Sequence, residues 1–218
     1  MNLYVVIEGK VEKSVYRSWI PLVNPQLSYV EDLSEIGNDN FYLISGGGYP
    51  GYFDVIDNAI LDVNEIGIFD RLVISADSEE MTLEEKYQEL FDYVSEKKCS
   101  SEIRIIIQHF CFETWGLGNR KAVSPHTSSQ KLQEYKQFFN VRVNDPELLP
   151  PYIKEGLNRS QFAEKYLRLA LNDKRKNLTY TKKTPNVLLH PKYFAQVKNR
   201  VEETQHIHSF EAFLEAFV

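Results

Sequence analysis

Two apolar runs in this chain end on acids. Leu3-Tyr4-Val5-Val6-Ile7 runs into Glu8, with Gly9 directly after it, and Arg71-Leu72-Val73-Ile74-Ser75-Ala76 runs into Asp77-Ser78-Glu79-Glu80. Runs of this kind read as buried strands. Neighbouring strands in a sheet lie about 4.8 Å apart, so carboxylates at two adjacent strand ends can share one divalent cation. Converging carboxylates repel one another, and Mg2+ or Mn2+ relieves that repulsion. A hard cation with open positions polarises a phosphoryl oxygen and activates water. If the chain stays extended past Asp77, Asp77 and Glu79 point to one side and Glu80 to the other. Each acid also has a plainer reading. Glu8 suits a cap for a helix starting at residue 10, and Asp77-Ser78-Glu79-Glu80 suits a solvated acidic helix start.

Four other signals are weaker. Gly46-Gly47-Gly48-Tyr49-Pro50-Gly51 stands between a strand and a helix, where backbone amides can cradle phosphate. It lacks the Gly-Lys-Ser/Thr ending of a P-loop and reads as a turn beside the site. His206-Ile207-His208 has metal-ligand spacing but no third histidine or cysteine beside it, and reads as helix-cap packing. His109 directly follows an apolar run and reads as a core or edge histidine within reach of the crevice. Cys99 and Cys111, the two cysteines, read as packing residues in a reducing cytoplasm.

The elements that must position these residues are legible from periodicity. Strands are expected over 3–8, 41–45, 71–76 and 103–107. Helices are expected over 10–23, 52–63, 82–98, 110–117, 129–138, 160–172 with Ser160 as N-cap, 191–203 and 208–217. Strands alternating with helices predict a parallel sheet covered on both faces. The expected order places the first strand between the second and third, with ligands bound beyond the carboxyl ends of the strands. The pattern changes near residue 120. The chain therefore divides into an α/β core over 1–123 and a basic, mostly helical region over 124–218 packed on it.

Charge follows the same division. Residues 1–113 hold 8 basic and 21 acidic side chains, a net of −13, against 17 and 10 in residues 114–218, a net of +7. Residues 154–200 alone hold 12 basic and 3 acidic side chains, interleaved with Tyr152, Tyr166, Tyr180 and Tyr193. Basic side chains contact phosphates and aromatic rings stack on unpaired bases, which suits single-stranded or looped nucleic acid. The plainer reading is two solvated surfaces of opposite sign. Hydrophobic residues at 43% and charged residues at 26% exclude a disordered chain, a collagen and a disulfide scaffold. No apolar run reaches the roughly 18–20 residues of a membrane span, and the N-terminus does not read as a signal peptide, so a cytoplasmic location is expected.

The acidic stretches also resemble a known family. Glu8-Gly9-Lys10-Val11-Glu12 resembles the Glu-Gly-x-x-Glu opening of TOPRIM domains, and Asp77-Ser78-Glu79 resembles their Asp-x-Asp motif. Phe112-Glu113-Thr114-Trp115-Gly116-Leu117 is similar to the Glu-x-Trp-x-Leu element of stand-alone TOPRIM proteins in bacterial defence, among them the PARIS nuclease subunit, RloB-like proteins and OLD-type nucleases. The resemblance covers residues 1–120; beyond them it rests on Tyr180-x-Lys182 and a basic helical tail. It implies a TOPRIM-like fold and phosphodiester cleavage with one or two Mg2+ (or Mn2+) ions. Glu8 would be a ligand or general base, Asp77 the principal ligand, and Glu79 the stand-in for the family's second aspartate. Glu113 would be a further acid of the site. Lys182 would contact the scissile phosphate, and Lys10, Lys13, Arg175, Lys176 and Lys183 would contact nucleic acid.

Taken together, the expectation is a Mg2+-dependent endonuclease acting on tRNA, other RNA or DNA as the toxic effector of an anti-phage system. A partner, such as an ATPase of the ABC/SMC class, would restrain it. A homodimer is left open, and no membrane partner is expected. The alternative is a non-catalytic nucleic-acid-binding or regulatory module on the same fold, which the Glu79 replacement favours. A third reading is a primase-like or phosphatase-like phosphoryl-transfer enzyme.

Overall fold

A computed structural model describes residues 1–48, 51–174, 180, 181 and 183–218. The chain divides into two compact units. The first comprises residues 1–76, 83–107 and 212–218, and the second residues 77–82 and 108–211. This differs from a division at residue 123. The chain crosses to the second unit briefly at Asp77 and again at Gln108, and its last seven residues return to the first.

The sheet has five strands: β1 (Leu3–Ile7), β2 (Ser28–Val30), β3 (Asn40–Ser45), β4 (Arg71–Asp77) and β5 (Glu102–Gln108). Their order is β2-β3-β1-β4-β5. β1 is central and wholly buried, as an unbroken Leu-Tyr-Val-Val-Ile run requires. It pairs in parallel with β3 and with β4, Ile7 standing opposite Ser45 on one side and Ser75 on the other. The strand expected second thus lies beside the first, and the first beside the third. β2 was not expected: it is three residues long, with no buried position to give it an alternation.

The first unit also carries α1 (Lys10–Val23), α2 (Tyr52–Ile66) and α3 (Leu83–Ser95), together with the end of the last helix of the chain. α1 buries Val15, Tyr16, Trp19 and Ile20, a single helical stripe. α2 and α3 bury Ile56, Ala59, Ile60, Val63, Leu90 and Val94 in a core shared with Tyr4, Val6, Leu72 and Ile74. α2 stops at Gly67, whose positive φ of 69° lets its amide reach Val63 O at 3.0 Å. The returning C-terminus packs Phe213 edge-on against Tyr16 at 5.0 Å and Trp19 at 6.1 Å.

The second unit carries α4 (Phe112–Leu117), α5 (Gln130–Phe138), α6 (Arg159–Lys174), α7 (Pro191–Thr204) and the first turn of α8 (Ser209–Ala216). α4 is buried along its whole length. Trp115 lies edge-on to Phe210 at 5.0 Å and donates its Nε1–H to Ser209 Oγ at 2.7 Å. A second aromatic group joins Tyr135, Tyr152, Phe162 and Tyr166. α6 is capped not by Ser160 but by Asn158: Oδ1 of Asn158 accepts from Gln161 N at 2.8 Å, and Gln161 Oε1 accepts from Asn158 N at 3.1 Å. No helix among the described residues is long and apolar enough to cross a membrane.

Candidate functional site

In the first unit the site begins where β1 stops. Glu8 is partly exposed, and its amide continues the ladder by donating to Ser75 O at 3.1 Å. Gly9 stands at the cap position of α1, and Oε2 of Glu12 accepts from Gly9 N at 3.3 Å. Glu12 thus receives the amide at the cap position of α1. Gly9 also carries a packing constraint, since a Cβ there would collide with the Glu12 carboxylate.

Below Glu8 lies a floor of buried hydroxyls. Tyr16 Oη and Ser75 Oγ share a hydrogen bond of 2.6 Å, and Tyr52 Oη donates to Ser75 O at 2.7 Å. Burial first, and then the Glu8 and Glu12 carboxylates, push the Tyr52 phenol well above its ordinary range. Tyr52 is thus a fixed neutral donor beneath two acids. Gly46 leaves room for it: a Cβ at Gly46 would overlap the Tyr52 ring. Gly47 and Gly48 take positive φ values of 72° and 99°, as a glycine-rich turn between strand and helix demands, and Tyr49 and Pro50 lie outside the described residues. Lys10 is exposed and Lys13 partly so.

In the second unit Asp77 closes β4 and is partly buried. The chain does not stay extended after it. Ser78 N donates to Gln108 O at 3.0 Å, Glu79 N to Phe110 O at 2.8 Å, and Met81 N back to Ser78 O at 2.9 Å. Glu79 sits in the left-handed region at φ 52°, so residues 78–81 form a turn. The alternation expected to align Asp77 with Glu79 is therefore absent. Glu79 and Glu80 are both exposed, and Glu80 Oε1 accepts from Arg159 N at 3.1 Å, tying the turn to the start of α6.

Glu113 is 4% exposed in the first turn of α4, and its Oε1 accepts from Tyr180 Oη at 2.7 Å. It is not a solvated helix-start charge. Burial and the Glu113 carboxylate drive the Tyr180 phenol far above its usual range, so it stays a proton donor. Cys111 is buried, and its thiol is pushed well up by burial, then by Glu113 and Asp77. A thiolate nucleophile is disfavoured there, in line with a packing role. His109 is partly exposed and its Nδ1 shares a 2.7 Å hydrogen bond with Ser78 Oγ. The Tyr180–Glu113 and Ser78–His109 pairs span 67 and 31 residues, and no spacing rule announces either.

The other candidates fall apart from this group. His206 Nδ1 lies 3.0 Å from the buried Arg200 guanidinium, and His208 pairs with Glu211 at 2.9 Å, so the two histidines serve α7 and α8. Lys183 is exposed, with its amide on Thr181 Oγ1. Lys182, Arg175 and Lys176 lie outside the described residues.

The donors present are carboxylate oxygens, which suit a hard cation. Among the described residues no group of three or more His, Cys, Asp or Glu side chains is gathered to hold a metal ion. Mg2+ is commonly held by one or two carboxylates while water and substrate phosphate fill its octahedron. No protein-family model matches the chain, and neither the curated proteins nor the solved structures searched gave a match.

Proposed function

We propose that this chain is a Mg2+-dependent endonuclease with a TOPRIM-like core, cleaving RNA or DNA as the toxic effector of an anti-phage defence system under the control of a partner. One observation carries the reading. Glu8 directly follows β1 and Asp77 closes β4, and these two strands are adjacent, parallel and in register at Ile7 and Ser75. Glu8 and Asp77 would hold the cation, which would supply Lewis acidity toward a phosphoryl oxygen and an acidified water. Glu79 would supply a further oxygen donor from its turn, and Glu113 a buried negative charge held by Tyr180. In the hydrolysis a water oxygen bonds to phosphorus as one phosphorus–ester bond breaks. One water proton ends on the departing hydroxyl and the other passes to base or solvent. The chain's own acids orient that water, and the basic side chains of its second half steer the polyanion.

The test is cleavage of mixed tRNA and of plasmid DNA in Mg2+, by the chain alone and with the products of neighbouring genes. We expect cleavage that is lost on chelation and in Glu8→Ala and Asp77→Ala. Equal cleavage by wild type and both variants overturns the assignment.

A second reading, a non-catalytic nucleic-acid-binding module, is favoured by one fact: Glu79, at the position of the family's second aspartate, is turned out to solvent. Nucleic-acid binding without cleavage, and without any Mn2+ binding, would select it.

A further inference from the structure

β5 ends the sheet, with β4 on one side of it and no further strand among the described residues on the other. Glu102 N donates to Asp70 O at 3.2 Å, so Glu102 turns its amide and carbonyl toward β4. These groups alternate sides along a strand. Arg104 therefore follows Glu102, while Ile103 and Ile105 turn theirs to the open edge. Glu102 and Arg104 are exposed and Ile103 and Ile105 partly so, before the strand becomes buried at Ile106. A groove of about 250 Å3 lies here, lined by residues 103–105, by Tyr87 of α3 and by Ala212 and Ala216 of α8. Tyr87 and Phe91, one helical turn apart on α3, are 42% and 45% exposed, and their rings stack at 6.1 Å. Aromatic rings left in water beside an open strand edge mark an interaction surface.

The charges on the edge say what covers it. Charged side chains usually guard an edge strand against a second strand. Here they are opposite in sign and two residues apart, on one face of the strand, with Arg104 Nη2 2.5 Å from Glu102 Oε1. A strand that meets its own copy antiparallel sets outward-turned residues opposite one another, so a two-fold axis passes through a residue and not between two. An axis at Glu102 or at Arg104 sets like charges face to face. An axis at Ile105 sets Arg104 opposite Ile106. An axis at Ile103 sets Glu102 of each copy opposite Arg104 of the other.

We propose that the exposed half of β5 is a dimer interface, pairing antiparallel with β5 of a second copy about a two-fold axis at Ile103. The two Ile103 residues exchange both backbone hydrogen bonds. Glu102 and Arg104 of the two copies form a ring of four alternating charges, which favours this register over its neighbours. Tyr87 and Phe91 of α3 are covered by their counterparts across the axis. The contact is self-complementary and closes at two copies, joining the two sheets edge to edge. It belongs to the first unit alone and does not depend on the nuclease reading.

The experiment is sedimentation of the full chain across micromolar concentrations, with amide hydrogen exchange on the same samples. We expect wild type to form a dimer, with slowed exchange at the Ile103 and Ile105 amides. Arg104→Glu and Glu102→Lys should each weaken the dimer about tenfold or more, because both cross-strand pairs turn from attractive to repulsive. Mixing these two variants sets opposite charges against each other again at both pairs. A heterodimer of near wild-type affinity should then form, which also shows that both variants are folded. Ile103→Pro, tolerated where a strand turns its N–H outward, removes the central donor and should abolish the dimer without altering charge. A wild-type chain that stays monomeric overturns the proposal, as it does if the edge instead takes a strand of another protein. Wild-type affinity in Arg104→Glu, Glu102→Lys and Ile103→Pro places any dimer on another surface and overturns it too. Two monomeric charge variants that do not recover on mixing overturn the register, and with it the choice of a second copy.

Discussion

Tyr180 donates its hydroxyl proton to Glu113 Oε1 at 2.7 Å, and the two side chains are 1% and 4% exposed. The contact joins the first turn of α4 to a residue 67 positions later, in the basic stretch before α7. Hydrogen bonds to a charged, buried acceptor are worth more than ordinary ones, because the carboxylate has given up water. Tyr180→Phe should therefore lower stability by roughly 1–3 kcal/mol. Urea unfolding checks this: the midpoint should fall while the m-value stays constant. Glu113→Gln keeps an acceptor for Tyr180 and should cost less.

Gly46 sets the position of Tyr52, and through it Ser75. A Cβ at residue 46 would overlap the Tyr52 ring and approach its Cα to 3.2 Å. Backbone on the near side cannot yield as a flexible side chain can. Gly46→Ala should cost about 1–3 kcal/mol by overpacking. It should also displace the 2.7 Å hydrogen bond from Tyr52 to Ser75 O. The checks are thermal unfolding and the fluorescence of the tyrosines.

Glu147 gives the second unit a pH dependence. It is 8% exposed, and its carboxylate accepts from Ser209 N at 3.0 Å and from Ser209 Oγ. Burial raises its pKa to about 7, outweighing the Ser209 hydrogen bonds that lower it, with Asp145 adding to the rise. In the unfolded chain it titrates near the ordinary glutamate value, about 4.3. Below that value both states are protonated and the group exerts no penalty. Between about 4.3 and 7 the unfolded state releases its proton first, so stability declines as pH rises, by up to about 1.4 kcal/mol per pH unit. Above 7 the loss is complete. Glu147→Gln should flatten this decline between pH 5 and 8, as read from unfolding midpoints at each pH.

Much of the framework was legible because its signals are local. The Leu3–Ile7 run and the stripe Val15-Trp19-Ile20 each lie within one element, and periodicity reveals them. Glu8 and Asp77 were legible for the same reason, as acids placed directly after apolar runs. What was not legible depends on distant partners or on single dihedral angles. The turn at Glu79 follows from amides bonding to Gln108 and Phe110, some thirty residues on. Asn158 rather than Ser160 caps α6 because its side chain meets Gln161 reciprocally, a choice between two good capping residues that propensity alone does not make. The return of residues 212–218 to the first unit follows from Phe213 and Phe217 meeting Tyr16, which no composition shift marks.

The nuclease assignment stands or falls on cation binding by Glu8 and Asp77. Mn2+ titration followed by electron paramagnetic resonance reads this without a substrate or an activating partner. Wild-type chain should take up Mn2+ in competition with Mg2+, Asp77→Ala should lose the bound signal, and Glu8→Ala should weaken it at least tenfold, while circular dichroism stays unchanged. Mn2+ uptake by Asp77→Ala and Glu8→Ala equal to that of wild type would contradict it.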